Sequence, residues 1–360
     1  MSKIYNTIGS LTTLKNKLIE SNLSEFKSIK EVSDFKSSYD YNKKQIIIKH
    51  EKIIHEEKLN LTNELNKLNI DIENTRLETT KKISQEIDHL RYKIKHLNAN
   101  QSKNIFANTF NKIKIRTLNK KVVLKENNFN SDVLNSISTL KKNQAIKQTR
   151  YDFICNDFNK AVELNANKEI FDLDYKISVI NNCEPYIYGA IGEQKVNKTI
   201  SKLSDDYHLI NDFNISFKKA IYYKDEYIKS IQIDHILISP SGIFLIETKN
   251  WSRNSLQNQD LRSPIEQIKR SNFILFKLLN NDGNNLFVDK HHWGKQKIAI
   301  RNLLVFINNK PKEEFPFIKI TTLDELNNYI TYFKPTYSAN EIKHLCSYLL
   351  KLNMQKNISI

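Results

Sequence analysis

Residues 231–251 read IQIDHILISPSGIFLIETKNW, two apolar runs separated by Ser-Pro-Ser-Gly at 239–242. Short runs rich in β-branched residues on either side of a Pro/Gly turn predict a β-hairpin. Asp234 lies in the first predicted strand, whereas Glu247 and Lys249 end the second, two residues apart and therefore on the same face. Because the turn brings Asp234 close to Glu247, the hairpin is expected to carry a carboxylate pair with an ammonium beside it.

The chemistry of these three side chains indicates a metal-dependent reaction at a phosphate. Paired carboxylates are the ligands that a hard cation such as Mg²⁺ requires. A lysine beside them can stabilise charge on a phosphate or help to position an attacking water. Asp234 in an apolar strand would be costly to bury without a compensating cation, which favours a functional role. His235 points to the opposite face and is interpreted as a packed, hydrogen-bonded histidine rather than a ligand.

Four motifs occur in order in the C-terminal half of the chain: GAIGE at 189–193, Ile-Asp-His at 233–235, GIFLIETKNW at 242–251 and Gln267. Together they make this half resemble the nuclease-related domain (NERD), a branch of the PD-(D/E)xK nuclease superfamily. An isolated Asp…Glu-x-Lys triplet is common by chance, so the order of the four motifs carries the resemblance. It covers residues 185–310 and implies an α/β fold like that of restriction endonucleases. In that fold, helices flank a mixed sheet and the site lies at one sheet edge.

The resemblance also implies roles for individual residues. The implied catalytic residues are Glu193, Asp234, Glu247, Lys249 and Gln267. Within this set, the two hairpin carboxylates would hold Mg²⁺ or Mn²⁺ together with the backbone carbonyl of Thr248. The lysine would stabilise developing charge or help to deprotonate the water, and the remaining two residues would complete and orient the site. The alternatives are an ordinary first-turn acid for Glu193 and a solvent-facing helix residue for Gln267.

Composition favours a soluble protein with a polyanionic partner. The chain has 360 residues, room for two or three domains, and a formal net charge of +16. This charge favours DNA, RNA or an anionic membrane surface as partner, although an AT-biased genome that inflates lysine is an alternative explanation. Three distant cysteines favour a reducing cytoplasm, and the lack of a long apolar run argues against a membrane protein. The neighbouring His291 and His292 lack a third ligand at zinc spacing and are predicted to lie in a loop.

The N-terminal half is predicted to be helical, because residues 10–184 contain neither glycine nor proline. Residues 44–98 repeat apolar side chains in a coiled-coil rhythm, with a stutter between Ile72 and Ile83. The predicted seam consists of Leu65, Leu68, Leu90 and Ile94. A rod of this kind is expected to form a homodimer, and the alternative is two helices of one chain that fold back on each other.

A basic segment follows at residues 101–150, where eleven Lys and Arg residues oppose Glu126 and Asp132. Apolar and aromatic residues alternate with the basic ones, so the segment is expected to lie against a phosphate backbone. The alternative is a solvated helical face. The candidate nucleic-acid contacts are Lys112, Lys114 and Arg116 in this segment, and Lys269 and Arg270 beside the implied site glutamine.

Together these patterns predict a long all-α, partly coiled-coil region followed by an α/β domain. The predicted parts are a helical segment (1–43), a coiled coil (44–98), a basic helical region (99–184), the nuclease-like domain (185–310) and a C-terminal helical extension (311–360). The predicted function is Mg²⁺-dependent hydrolysis of DNA phosphodiester bonds, in bacterial anti-phage defence or DNA processing. The alternative is a non-catalytic nucleic-acid-binding or scaffold protein that kept the fold, which the intact acid–acid–lysine set argues against.

Overall fold

The structure of the protein is a computed structural model. It describes residues 1–99, 105–252, 261–280, 297–355 and 358. The chain forms two compact units. The sheet unit consists of Met1–Ser37 and Tyr175–Ile360, and the helical unit consists of Ser38–Asp174. The helical unit is therefore an insertion within the sheet unit. The predicted loop around His291 and His292 lies outside the described residues.

Helices make up the first half of the chain, and the strands are concentrated in the second. The helices in the described ranges are α1 (Gly9–Glu20), α2 (Ile29–Ala99), α3 (Ile105–Asn156), α4 (Phe158–Asn182), α5 (Glu184–Ile200), α6 (Arg262–Leu279), α7 (Leu323–Thr331) and α8 (Ala339–Met354). The strands there are β1 (Lys3–Tyr5), β2 (His208–Tyr223), β3 (Glu226–Ser239), β4 (Gly242–Lys249), β5 (Ile300–Phe306) and β6 (Ile318–Thr322). This order confirms the predicted fold class.

The strands form one mixed sheet in the order β1 to β6. Strands β2, β3 and β4 pair with one another in antiparallel fashion. Strand β1 pairs parallel with β2, β5 pairs parallel with β4, and β6 pairs parallel with β5. The predicted hairpin is β3–β4, closed by the pair Ser239↔Gly242. Gly242 has a φ of +129°, a conformation open to glycine and strained for residues with a Cβ. The turn therefore explains why glycine ends the Ser-Pro-Ser-Gly sequence.

Helices cover both faces of the sheet. One layer contains Leu245 of β4 with Ile274 of α6, and α8 packs in the same layer. The other layer contains Ile246 of β4 with Val196 of α5, together with α7. Successive residues of β4 thus enter opposite cores, as expected for a strand buried on both sides. Polar side chains of β4 are consequently confined to its C-terminal end, where the candidate site lies.

The first residues of the chain belong to this sheet unit. Strand β1 extends the sheet beside β2, with the pair Lys3↔His208, and the Lys3 N–H donates to the Tyr207 carbonyl at 2.9 Å. Helix α1 packs against α5 in an apolar cluster that includes Leu14, Leu18 and Ile187. No sequence pattern predicted that the segment 1–43 would reach the sheet.

In the helical unit, α2 and α3 run antiparallel. Arg150 Nε contacts Glu57 Oε1 at 2.8 Å and Lys147 Nζ contacts Glu64 Oε2 at 2.6 Å, so later positions of α2 meet earlier positions of α3. These ion pairs lie at the surface and contribute little stability. None of the helices in the described ranges has the length and apolar character that crossing a membrane requires.

The apolar stripe predicted to be a coiled-coil seam is buried within one chain. Ile54 packs with Ile154 at one end of the unit. Leu90 and Ile94 pack beside a cluster that contains Val122 of α3 at the other end. The structure therefore shows the arrangement that the sequence left as the alternative, with helices of one chain folded back on each other. The homodimer stays a prediction.

Candidate active site

The end of the β3–β4 hairpin brings Asp234 and Glu247 together as predicted. The two residues occupy opposite register positions, directly beyond the pair His235↔Ile246. The backbone N–H of Thr248 donates to Asp234 Oδ2 at 2.7 Å. Because the carboxylate accepts from the neighbouring strand, its position is fixed by the sheet itself.

Glu247 is held by two donors from different elements. Lys249 Nζ, two residues further along β4, donates to Glu247 Oε1 at 2.8 Å. Gln267 Nε2 of α6 donates to Glu247 Oε2 at 3.1 Å. The glutamate is only 4% exposed, so both of its oxygens depend on these donors or on a cation. The structure thus brings the sequence-predicted Gln267 into contact with the hairpin.

Glu193 approaches from α5, where the close packing of the helix depends on glycine. A Cβ at Gly192 would lie 3.2 Å from Thr248 Cγ2, so the absence of a side chain lets α5 pack against the end of β4. The Glu193 carboxylate is buried. It accepts a hydrogen bond from the Ser10 hydroxyl, and the Ser10 N–H lies 3.4 Å from its second oxygen. Ser10 was not predicted from the sequence.

Asp212 is a further acid that the sequence analysis missed. It lies on β2 at the register position opposite Asp234, and its φ of +47° is uncommon for a residue other than glycine. Gln232 Nε2 donates to Asp212 Oδ1 at 2.8 Å. Its charge contributes to the raised pKa of both Glu193 and Asp234. The sequence signal was weak, because Asp212 follows Asn211 and its strand is less apolar than the one that carries Asp234.

Burial gives the site its electrostatic character. It raises the pKa of Glu193 to about 7, and the nearby charge of Asp234 adds to the effect. It likewise raises the pKa of Asp234 to about 8, with a further contribution from Glu247. The pKa of Glu247 is raised by the same burial. Burial lowers the pKa of Lys249, but the surrounding carboxylates outweigh this and the net shift is upward. Three carboxylates thus face one ammonium, an excess that a cation would compensate.

The donor set suits a hard divalent cation. Carboxylate and carbonyl oxygens are the ligands that Mg²⁺ and Mn²⁺ prefer. Among the described residues, no group of three or more His, Cys, Asp or Glu side chains is arranged to hold a metal ion. A metal site here would therefore rest on two carboxylates, Asp234 and Glu247, and the backbone oxygen of Thr248. At Glu247 a cation would replace a donor such as Lys249 or share an oxygen with it.

A cleft of about 550 Å³ opens over these groups. Its lining includes Glu193, Asp234 and Lys249, together with the aromatic residues Tyr188 and Trp251. A cleft with convergent polar groups and carboxyl groups of perturbed pKa is the expected setting of an active site.

The comparisons with known proteins concern the part of the chain that carries the hairpin and Glu193. Residues 188–307 match the family described as the nuclease-related domain. Residues 188–307 of this chain are thus similar to a nuclease-related domain. A 75-residue stretch is 33% identical to an uncharacterized protein of Bacillus anthracis, and it covers 21% of this chain and 32% of that protein. The chain thus spans about a third of that relative's length. No solved structure matches the chain at a significant level.

The histidine that follows Asp234 on β3 is packed inside the sheet unit. His235 is fully buried, and its Nδ1 is hydrogen bonded to Asn211 Oδ1 at 2.7 Å. Burial lowers the pKa of His235 to about 3, so the ring is neutral. The prediction of a packed, hydrogen-bonded histidine is confirmed.

Two of the predicted phosphate-binding residues, Lys269 and Arg270, are paired with acids and do not line the cleft. Lys269 Nζ contacts Glu266 Oε1 at 2.9 Å and Arg270 contacts Glu226 Oε2 at 2.8 Å, both on the surface of the nuclease-related domain. The other three candidates, Lys112, Lys114 and Arg116, are exposed on α3 in the helical unit. Their role in nucleic-acid binding stays a prediction.

The raised pKa values predict how stability depends on pH. In buffer with EDTA, we expect the melting temperature of the sheet unit to fall as the pH rises from about 5 to 8. The folded-state pKa of Glu193, about 7, and of Asp234, about 8, exceed the ordinary values of 4.5 and 3.8. The folded state therefore holds protons that the unfolded state has released, and this stabilisation is lost as the pH rises through the folded-state pKa. The melting temperature of the double variant Glu193→Gln/Asp234→Asn should depend less on pH than that of the wild type. Equal pH dependence would contradict the raised pKa values of these two carboxyl groups.

Proposed function

We propose that the protein is a metal-dependent DNA endonuclease that hydrolyses phosphodiester bonds. The observation that carries the proposal is the convergence of Asp234, Glu247 and Lys249 at the end of one rigid hairpin, inside a nuclease-related domain. The intact acid–acid–lysine set favours catalysis over the alternative, a nucleic-acid-binding scaffold that kept the fold.

Each residue of the site has a distinct role. Asp234, Glu247 and the Thr248 carbonyl would hold Mg²⁺ or Mn²⁺, which supplies Lewis-acid stabilisation of charge and lowers the pKa of water. Lys249 has three donor hydrogens, of which Glu247 takes one here, so the others are available to a phosphate oxygen. Gln267 fixes the carboxylate of Glu247 from α6. These groups are preorganised on the sheet, as stabilisation of a developing charge requires.

A plasmid-cleavage assay tests this proposal. Supercoiled plasmid should become nicked or linear with Mg²⁺ or Mn²⁺ and stay intact with EDTA, and excess Mg²⁺ should restore the reaction. A preparation of Glu247→Gln, purified in parallel, is the control for contaminating nucleases. Equal activity in that preparation would refute the assignment, and DNA binding without cleavage by the wild type would favour the scaffold alternative.

The exposed basic side chains of α3 are proposed to contact the DNA backbone. Reversing Lys112, Lys114 and Arg116 to glutamate should weaken DNA binding, because fewer counterions are released when the protein neutralises fewer phosphates. The slope of log affinity against log salt should flatten by about 0.9 for each phosphate that the variant no longer neutralises. Fluorescence anisotropy at several salt concentrations measures the slope, and reversal of the exposed Lys81 and Lys82 on α2, outside the basic segment, is the control. An unchanged slope would favour the alternative interpretation, in which the segment is a solvated helical face.

Three expectations about the wider setting stay proposals. A cytoplasmic location follows from the cysteine usage, and anti-phage defence or DNA processing follows from the family resemblance. A homodimer would need a contact surface besides the α2 seam that is buried within one chain.

A further inference from the structure

We propose that Ser10 is a positioning residue for the nuclease site, and that residues 1–23 are a working part of the nuclease-related domain. This inference rests on the proposed function. Its starting observation is the hydrogen bond from the Ser10 hydroxyl to Glu193 Oε1, across 183 residues of sequence. The family match begins at residue 188 and so does not include the serine.

The contact fixes a carboxylate that has few other means of orientation. Glu193 is 4% exposed, and a buried carboxylate needs donors for its oxygens. Ser10 lies in the first turn of α1, where free backbone N–H groups and the helix dipole attract negative charge. The Ser10 N–H is 3.4 Å from the second oxygen, a long contact, so the hydroxyl is the stronger constraint.

Two glycines show how closely the segment fits against the site. A Cβ at Gly189 would lie 2.7 Å from Ser10 Oγ, and a Cβ at Gly9 would lie 2.7 Å from Asp212 Oδ1. Both distances are shorter than real Cβ contacts, so each position leaves no room for a side chain without a shift. The start of α1 is therefore packed between α5, which carries Glu193, and β2, which carries Asp212.

The segment is anchored on both sides of this contact. Before it, Asn6 Nδ2 donates to the Asn211 carbonyl at 3.3 Å, and Asn211 Nδ2 donates to the Asn6 carbonyl at 3.2 Å. After it, Leu14 and Leu18 are buried in the cluster that includes Ile187 of α5. These anchors hold the hydroxyl in a fixed position relative to Glu193, as a positioning role requires.

Variants at the two sides of the contact test the inference. Ser10→Ala removes the hydroxyl, and Gly189→Ala displaces it while favouring the helix, since alanine has the higher helix propensity. We expect both variants to lower Mg²⁺ affinity or the cleavage rate by about 10–100-fold, the loss typical when a hydrogen-bonding group around a metal site is removed. Titration calorimetry with Mg²⁺ alone and plasmid kinetics measure the two quantities. Ser10→Thr, which keeps a hydroxyl, should recover part of the loss.

Thr7→Ala is the matched control, because it removes a nearby exposed hydroxyl that bonds Thr12 rather than Glu193. Normal Mg²⁺ affinity and cleavage in both Ser10→Ala and Gly189→Ala would overturn the positioning role. A double-mutant cycle of Ser10→Ala and Glu193→Gln in thermal unfolding separates this failure from that of the proposed function. If the cycle shows coupling between Ser10 and Glu193 but the wild type neither binds Mg²⁺ nor cleaves DNA, the contact exists. The nuclease assignment is then refuted, and the positioning role with it.

Discussion

Replacing Asp234 with asparagine is expected to abolish cleavage and to raise the melting temperature of the metal-free protein. Asparagine keeps the shape of the side chain and can still accept from the Thr248 N–H. It removes a charge that burial and the neighbouring Glu247 disfavour, as the raised pKa of Asp234 shows. It also removes a proposed metal ligand, so the cleavage rate should fall by at least about 10²–10³-fold, the loss seen when one preorganised electrostatic group is deleted.

Plasmid kinetics and thermal unfolding in EDTA measure the two effects of Asp234→Asn. The control is Asp225→Asn, at the exposed turn of the β2–β3 hairpin, which should change neither quantity. Wild-type cleavage by Asp234→Asn would show that the site has been assigned to the wrong residues. A lower melting temperature would show that the carboxylate is stabilised by its surroundings rather than strained by them.

Lys249→Met should also abolish cleavage, but with the opposite effect on stability. Methionine preserves the length of the side chain and removes the ammonium that lies 2.8 Å from Glu247 Oε1. The glutamate side chain is 5% exposed, so the change leaves buried carboxylates without their charge partner. Removing one member of a buried pair costs about 3–5 kcal/mol. The melting temperature at neutral pH should therefore fall, and the fall should diminish at acid pH, where the carboxylates take up protons.

The two variants are expected to shift the melting temperature in opposite directions, which distinguishes an electrostatic effect from general damage to the fold. Lys229→Met, on the exposed part of β3, is the control for the loss of one positive charge and should leave both readouts unchanged. If Lys249→Met unfolds at the wild-type temperature, the ammonium does not compensate the carboxylates in solution. If both Asp234→Asn and Lys249→Met lower the melting temperature equally, general damage to the fold explains them better than electrostatics.

The sequence predicted the parts of the site that depend on local structure. Asp234, Glu247 and Lys249 lie on two strands joined by one tight turn, so their spacing determines which side chains share a face.

Contacts between distant segments could not be predicted in this way. Strand β1 has three residues, too few to show a period, and nothing in it indicates that Lys3 pairs with His208. Ser10 therefore had no visible link to Glu193. The heptad repeat of α2 correctly predicted an apolar face, but a repeat of apolar residues indicates only that the face is buried. It does not state that the partner of Ile54 is Ile154 of the same chain.

The insertion of the helical unit has a consequence for the order of folding. Asn6 and Asn211 contact each other across 205 residues, so the sheet closes a very long loop. Tyr39 Oη donates to Asp174 Oδ1 at 2.6 Å, so the two ends of the helical unit are neighbours. Once that unit has formed, the loop shortens to roughly 70 residues, and its closure costs about 1 kcal/mol less. Helical domains generally form faster than sheets paired over long sequence separations, so we expect the inserted helices to fold before the N-terminal strand joins the sheet.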